Sequence, residues 1–124
     1  MVKMFYLNVK DGNFGTVEIE PTLQEYYKLL GCTCIDMVAR TLKNEAYDII
    51  LDDEGLLKGN PVISSVDSYC NPMTVGNLLF TRCNEEGVEI GITDDDVKNI
   101  LSCIGIGFSD FKPEGYPLIV GLNY

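Results

Sequence analysis

The stretch "TLQEYYKLLG", residues 22–31, spells out both ends of one short helix. Thr22 is a good N-cap, and Glu25 three residues later completes a capping-box pattern. Leu23, Tyr26, Tyr27 and Leu30 recur at helical spacing, and Gly31 closes the helix. Pro21 ends what precedes it. The runs on either side are β-rich: "MFYLNV" (Met4–Val9) and "TVEIE" (Thr16–Glu20) before, "CTCIDMVART" (Cys32–Thr41) after. A helix bounded this tightly between strands leaves only short connections, which restricts the chain to a mixed α and β architecture.

The rest of the chain fills in that pattern. Asp11-Gly12 and Gly15 tolerate positive φ, so Met4–Val9 and Thr16–Glu20 are expected to form a hairpin. "AYDIILDDEG" (Ala46–Gly55) reads as a fourth strand ending in an acidic turn, and "VGNLLFTRCN" (Val75–Asn84) as a fifth. Ser65–Thr74 is turn-rich and is read as a surface loop, and Ser64, Ser65 and Ser68 are read as ordinary loop residues. Thr93 is placed as an N-cap, with Asp94, Asp95 and Asp96 in the first turn. Val97, Ile100, Leu101 and Ile104 form its apolar stripe, and Gly105 is its expected end. The tail after it either adds a strand at Pro117–Leu122 or wraps the surface. The expected fold is α+β: one domain over residues 1–124, with a mostly antiparallel sheet of about five strands and two helices packed on one face.

Composition narrows the functional classes. Of 124 residues, 19 are Asp or Glu and nine are Lys or Arg, giving a formal charge of −10. Such a surface repels phosphate backbones, so no direct nucleic-acid binding is expected, and basic partners are favoured. No apolar run approaches the ~20 residues of a membrane span. The apolar start is short and alternating, and reads as a first strand and not a signal peptide. Five cysteines at scattered spacing do not make a disulfide framework, so a reducing cytoplasm is the simpler expectation. Cys32 and Cys34 are expected on one side of a strand as small hydrophobes.

Chemistry is sparse. With no histidine, a Cys or Ser nucleophile lacks its commonest base, and no GxSxG elbow is present. Consecutive helical residues point about 100° apart, so at most two of Asp94–Asp96 could share an ion, and no cofactor or metal is expected. Helix capping accounts for all three. The acidic groups Asp52-Asp53-Glu54 and Glu85-Glu86 stand at strand ends before Gly55 and Gly87, as type I turns with a following glycine require. "IGIGF" (Ile104–Phe108) follows a helix and lacks the Lys-Ser/Thr of a phosphate loop, so it reads as a cap and turn.

Three segments together carry a family resemblance: "TLQEYYKLLGCTCIDMV", "DIILDDEGLLKGNP" and "VGNLLFTRCNEEGVEIGITDDDVKNI". They resemble a family of small proteins, domain of unknown function 3846, over roughly residues 16–104. "VISS" after Pro61 departs from the pattern, and residues 105–124 read as a variable extension. The resemblance implies a phage, plasmid or other mobile-element setting, often near antirestriction proteins, with no catalytic residues to carry over.

Two binding modes follow as expectations. In the first, a non-catalytic inhibitor presents Asp52, Asp53, Glu54, Glu85, Glu86, Asp94 and Asp95 to a basic surface of a host defence protein in the cytoplasm. In the second, the chain is an oligomeric sponge for a defence signalling nucleotide. Arg40, Lys43, Lys58 and Arg82 would then meet phosphates, and Tyr27 would stack on a base.

Overall fold

A computed structural model describes residues 1–57, 61–110 and 112–124. Two antiparallel strands come first, β1 (Val2–Asn8) and β2 (Asn13–Ile19), then helix α1 (Leu23–Leu30). Strands β3 (Ile35–Leu42) and β4 (Glu45–Asp52) follow, and a 3₁₀ turn occupies Gly55–Leu57. Next come β5 (Ile63–Val66), β6 (Pro72–Val75) and β7 (Leu78–Thr81), then helix α2 (Asp94–Leu101). The chain finishes with β8 (Ile104–Ser109), β9 (Lys112–Val120) and β10 (Leu122–Asn123). Among the described residues the fold is α+β with two helices, as expected, but it holds two sheets.

The first sheet has six strands in the order β10-β3-β4-β7-β1-β2, every neighbouring pair antiparallel. The second has four, β6-β5-β9-β8, and its β5–β9 pair is parallel. The expectation of about five strands missed the second sheet for local reasons. Turn formers occupy only Asp67–Asn71 between β5 and β6, where the Asp67 carboxylate accepts from the N–H groups of Tyr69 and Asn71. The residues on either side pair as strands. Ser64 and Ser65 are therefore buried strand residues and not loop residues. A register shift beside them lets neighbours both turn inward, and both hydroxyls meet Thr74 Oγ1.

The two helices lie on opposite faces of the first sheet, not on one. Side chains alternate along a strand, so Phe5 and Leu7 of β1 face one way and Met4 the other. Tyr26 and Leu30 of α1 pack with Met4, Ile50 and Leu79. Ile100 of α2, with Val97, packs with Phe5, Leu7, Ile49, Leu78 and Phe80, and so do Tyr116, Leu118 and Ile119 of the second sheet. Central strands apolar on both sides demand cover on both sides, and β7, "LLFT", is buried at all four positions. Each large side chain so buried contributes roughly 1.5–3 kcal/mol of transfer free energy.

The helix ends test the capping arguments. Thr22 Oγ1 accepts from the Glu25 N–H, and Gly31 adopts φ 64°. In α2 the Thr93 side chain accepts from the Asp96 N–H while Asp96 accepts from the Thr93 N–H, a complete capping box. The far end differs from expectation: α2 stops at Leu101 with Ser102 as its cap, and Ile104 and Gly105 begin β8. Glycine suits this strand at position 107, where a Cβ would lie 2.2 Å from Leu118 Cδ2. Strand β3 starts at Ile35, so Cys32 and Cys34 precede it; Cys32 is buried and Cys34 exposed.

Candidate binding surface at the Arg82 end of the sheet

The antiparallel ladders decide which acidic groups can act together. Asp48 pairs with Thr81, so the exit of β7 lies beside the start of β4. The chain then turns back through a tight hairpin: Gly87 N–H donates to Asn84 O and Ile90 N–H to Arg82 O. Gly87 has φ 80°, and Asn84 Oδ1 accepts from the N–H groups of Glu86 and Val88. Glu85 and Glu86 thus sit on the type I turn with a following glycine that the sequence implied, both exposed. Thr93 and the first turn of α2 follow directly.

At the centre of this end stands Arg82. Its Nη2 donates to Asp96 Oδ1 at 2.7 Å and to Glu45 Oε2 at 2.9 Å, and its Nε to Asp96 Oδ2 at 3.1 Å. The guanidinium also lies over the Tyr47 ring, 4.7 Å from its centroid. Tyr47 Oη donates to Asp96 Oδ1, and Asn99 Nδ2 donates to both Tyr47 Oη and Leu42 O. Asp96 is buried, yet its carboxyl is held well below the usual carboxylate range, chiefly by Arg82, with burial opposing. The Asp96 hydrogen bond pushes Arg82 further up, and burial raises the Tyr47 phenol. The Asp96–Arg82 pair therefore stays ionised at neutral pH.

The three adjacent aspartates part company here. Asp94 pairs with Lys3, and Asp96 turns inward to Arg82, Tyr47 and Thr93. Asp95 is exposed and forms no ion pair among the described residues. A cavity of about 780 Å³ opens beside them, lined by Lys43, Glu45, Arg82, Thr93, Asp96 and Asn99 among others.

The remaining acidic group lies elsewhere. Asp52 ends β4, at the opposite end of that strand from Glu45, about 23 Å away for seven residue steps of a strand. The expected seven-residue acidic surface is thus two surfaces. Asp52 is also buried, and its Oδ1 accepts from the Glu54 N–H, so it serves the turn and not the surface. Gly55 opens the 3₁₀ turn and packs against Val75, so no glycine-bulge turn forms there. Asp53 and Glu54 are exposed beside a mostly apolar groove of about 450 Å³ that Leu56, Leu57, Met73 and Val75 help to line.

The alternative cationic set is likewise split. Lys43 and Arg82 share the 780 Å³ cavity, but Lys43 Nζ donates to Ser102 Oγ and Arg82 is engaged by two carboxylates. Arg40 lies over the Tyr124 ring, 4.5 Å from its centroid. Tyr27 packs beside the core on the α1 face, away from them all. Lys58 lies outside the described residues. Sequence reasoning missed Glu45, Tyr47 with Asp96, and Asn99 as partners. Only the capping role of Asp96 was foreshadowed, by its place three residues after Thr93.

Fold and site together define a small acidic α+β protein built on two sheets, with an ion-paired polar network at one end. The chain belongs to the domain of unknown function DUF3846, whose family model matches residues 3–104. That span runs from the second residue of β1 to the first residue of β8, so it takes in all of β1 but Val2, which the resemblance over 16–104 did not include. No curated protein and no solved structure matches the chain.

Proposed function

We propose that the chain acts by binding and not by catalysis, as a phage or mobile-element inhibitor that seats its acidic Arg82 end on a basic surface of a bacterial defence protein. The observation that carries this reading is the state of charge at that end. Arg82 and Lys3 are consumed by Asp96, Glu45 and Asp94, while Glu85, Glu86 and Asp95 stand exposed without an ion pair among the described residues. Turn and helix hold their backbones firmly, so little ordering entropy opposes docking. Long-range attraction from a chain of charge −10 would speed the encounter. Sequestration of a signalling nucleotide has weaker support: the cavity shared by Lys43 and Arg82 is also lined by Glu45, Asp95 and Asp96, which leaves an excess of negative charge.

The test is plating efficiency of a restricted phage on hosts carrying each of a panel of defence systems, with and without the expressed chain. Relief in at least one system is expected, and a triple variant Glu85→Lys, Glu86→Lys, Asp95→Lys should lose it at equal protein level. Absence of relief in every system, or full relief by the triple variant, would overturn the proposal.

A further inference from the structure

Among the described residues, strand β8 is an open edge of the second sheet, and it is unlike the other sheet edges. An exposed edge presents unpaired N–H and C=O groups, and proteins usually blunt it with shortness, proline or charge. The other three edges carry such features. Strand β10 has two residues, β6 begins at Pro72 with an irregular register, and β2 carries Glu18. Strand β8, "IGIGFS", has no charge and no proline, in a chain whose formal charge is −10. Its outward side chains are apolar, with Ile106 75% and Phe108 69% exposed.

The ladder shows which backbone groups are free. Val120 N–H donates to Cys103 O, which makes that antiparallel pair a hydrogen-bonded one. Bonded pairs recur at every second residue, so Gly105–Leu118 and Gly107–Tyr116 are bonded as well. Ile104 and Ile106 therefore point their N–H and C=O groups away from β9. Pro117, which has no N–H to give, stands opposite Ile106 at a position where none is needed. The irregularity past Gly107 lies on β9, where Pro113, Glu114 and Gly115 stand against Phe108 alone. Phe108 thus continues the outward alternation.

We infer that β8 pairs with β8 of a second copy of this chain, antiparallel about a two-fold axis at Ile106, joining two four-stranded sheets into one. The free groups at residues 104, 106 and 108 are symmetric about Ile106, so this register uses all of them. Ile106 meets Ile106 of the other copy, and Ile104 meets Phe108, bringing the exposed apolar side chains together as cross-strand pairs. The first acidic residue beyond the strand, Asp110, falls opposite Ser102 and not opposite another carboxylate. A basic partner would be drawn to the acidic ends of the molecule. The neutral β8 strip is where two copies of an acidic chain can meet without stacking like charges.

Sedimentation equilibrium of the full chain should give twice the 13.8 kDa chain mass at tens of micromolar. Ile106→Pro removes an outward N–H that the fold does not use, and Phe108→Lys places a charge in the pairing row. Each should raise the dimer dissociation constant at least about tenfold, while the circular dichroism spectrum stays that of the wild type. If Ile106→Pro fails to fold, Phe108→Lys decides the matter. A wild-type chain that stays monomeric up to millimolar concentration would overturn the inference, and so would a dimer that Phe108→Lys leaves intact.

Discussion

Arg82 and Asp96 meet fork to fork: Nη2 lies 2.7 Å from Oδ1 and Nε 3.1 Å from Oδ2. One residue leaves the central strand of the sheet and the other closes the first turn of α2, so the pair fastens helix to sheet. Asp96 also accepts from Tyr47 Oη and the Thr93 N–H, leaving its buried oxygens satisfied. Asp96→Ala removes the ion pair, the Tyr47 bond and half of the capping box together. A loss of about 3 kcal/mol is expected, from the worth of a partly buried pair and a helix cap. Urea unfolding followed by circular dichroism measures it; a loss below about 1 kcal/mol would show that the pair does not hold α2 in place.

The same residue gives the chain a pH signature. Its carboxyl is depressed in the folded state, mainly by Arg82. A depressed acid contributes stability that is present above its unfolded pKa, about 3.9, and is lost as pH falls towards its folded value. Between pH 4 and pH 2, wild-type stability should therefore fall more steeply than that of Asp96→Asn, by up to about one proton in the linkage slope. Equal slopes from denaturation at stepped pH would contradict the assignment.

Cysteine reactivity should follow position. Burial, with the neighbouring Asp48 carboxylate, pushes the half-buried Cys83 thiol up to about 11. Cys34 and Cys70 are exposed. Iodoacetamide at pH 8, followed by peptide mass spectrometry, should label Cys34 and Cys70 at least about tenfold faster than Cys83, because the thiolate is the nucleophile. Comparable labelling of all three would contradict the placement of Cys83.

Gly91 sets the approach from the acidic hairpin to α2. It has φ 80°, and a Cβ there would lie 2.5 Å from Lys3 O, the acceptor for the Ile92 N–H. Gly91→Ala combines backbone strain with a clash against main chain that cannot swing aside. About 2–4 kcal/mol of destabilisation is expected, read as a fall in thermal midpoint. A midpoint within a degree of the wild type would show that this loop relaxes freely.

Much of this architecture was legible where signals are local. Thr22 with Gly31, and Thr93 with Asp96, mark helix ends through bonds made within a few residues, and both helices start where the chain says they do. Glu85 and Glu86 before Gly87 announce a turn for the same reason. The misjudged elements depend on partners far along the chain. Ser64, Ser65 and Gly107 resemble loop residues until Thr74, Leu118 and Tyr116 are set beside them. The placing of α1 and α2 on opposite faces follows from strand order, which no local pattern carries. The site fared similarly: Glu85, Glu86 and Asp95 were recognised as exposed acids, but only register separates them from Asp53 and Glu54.

That separation provides the most direct test of the proposed binding end. In a defence system that the wild-type chain relieves, two charge-reversed variants are compared at equal expression: Glu85→Lys with Glu86→Lys, and Asp53→Lys with Glu54→Lys. Each pair changes the net charge by the same amount, so a difference between them reports location and not total charge. Plating efficiency should drop to the uninhibited level for the Glu85 and Glu86 pair and stay near that of the wild type for the Asp53 and Glu54 pair. Equal loss from both pairs, or loss from the Asp53 and Glu54 pair alone, would contradict a binding surface at the Arg82 end.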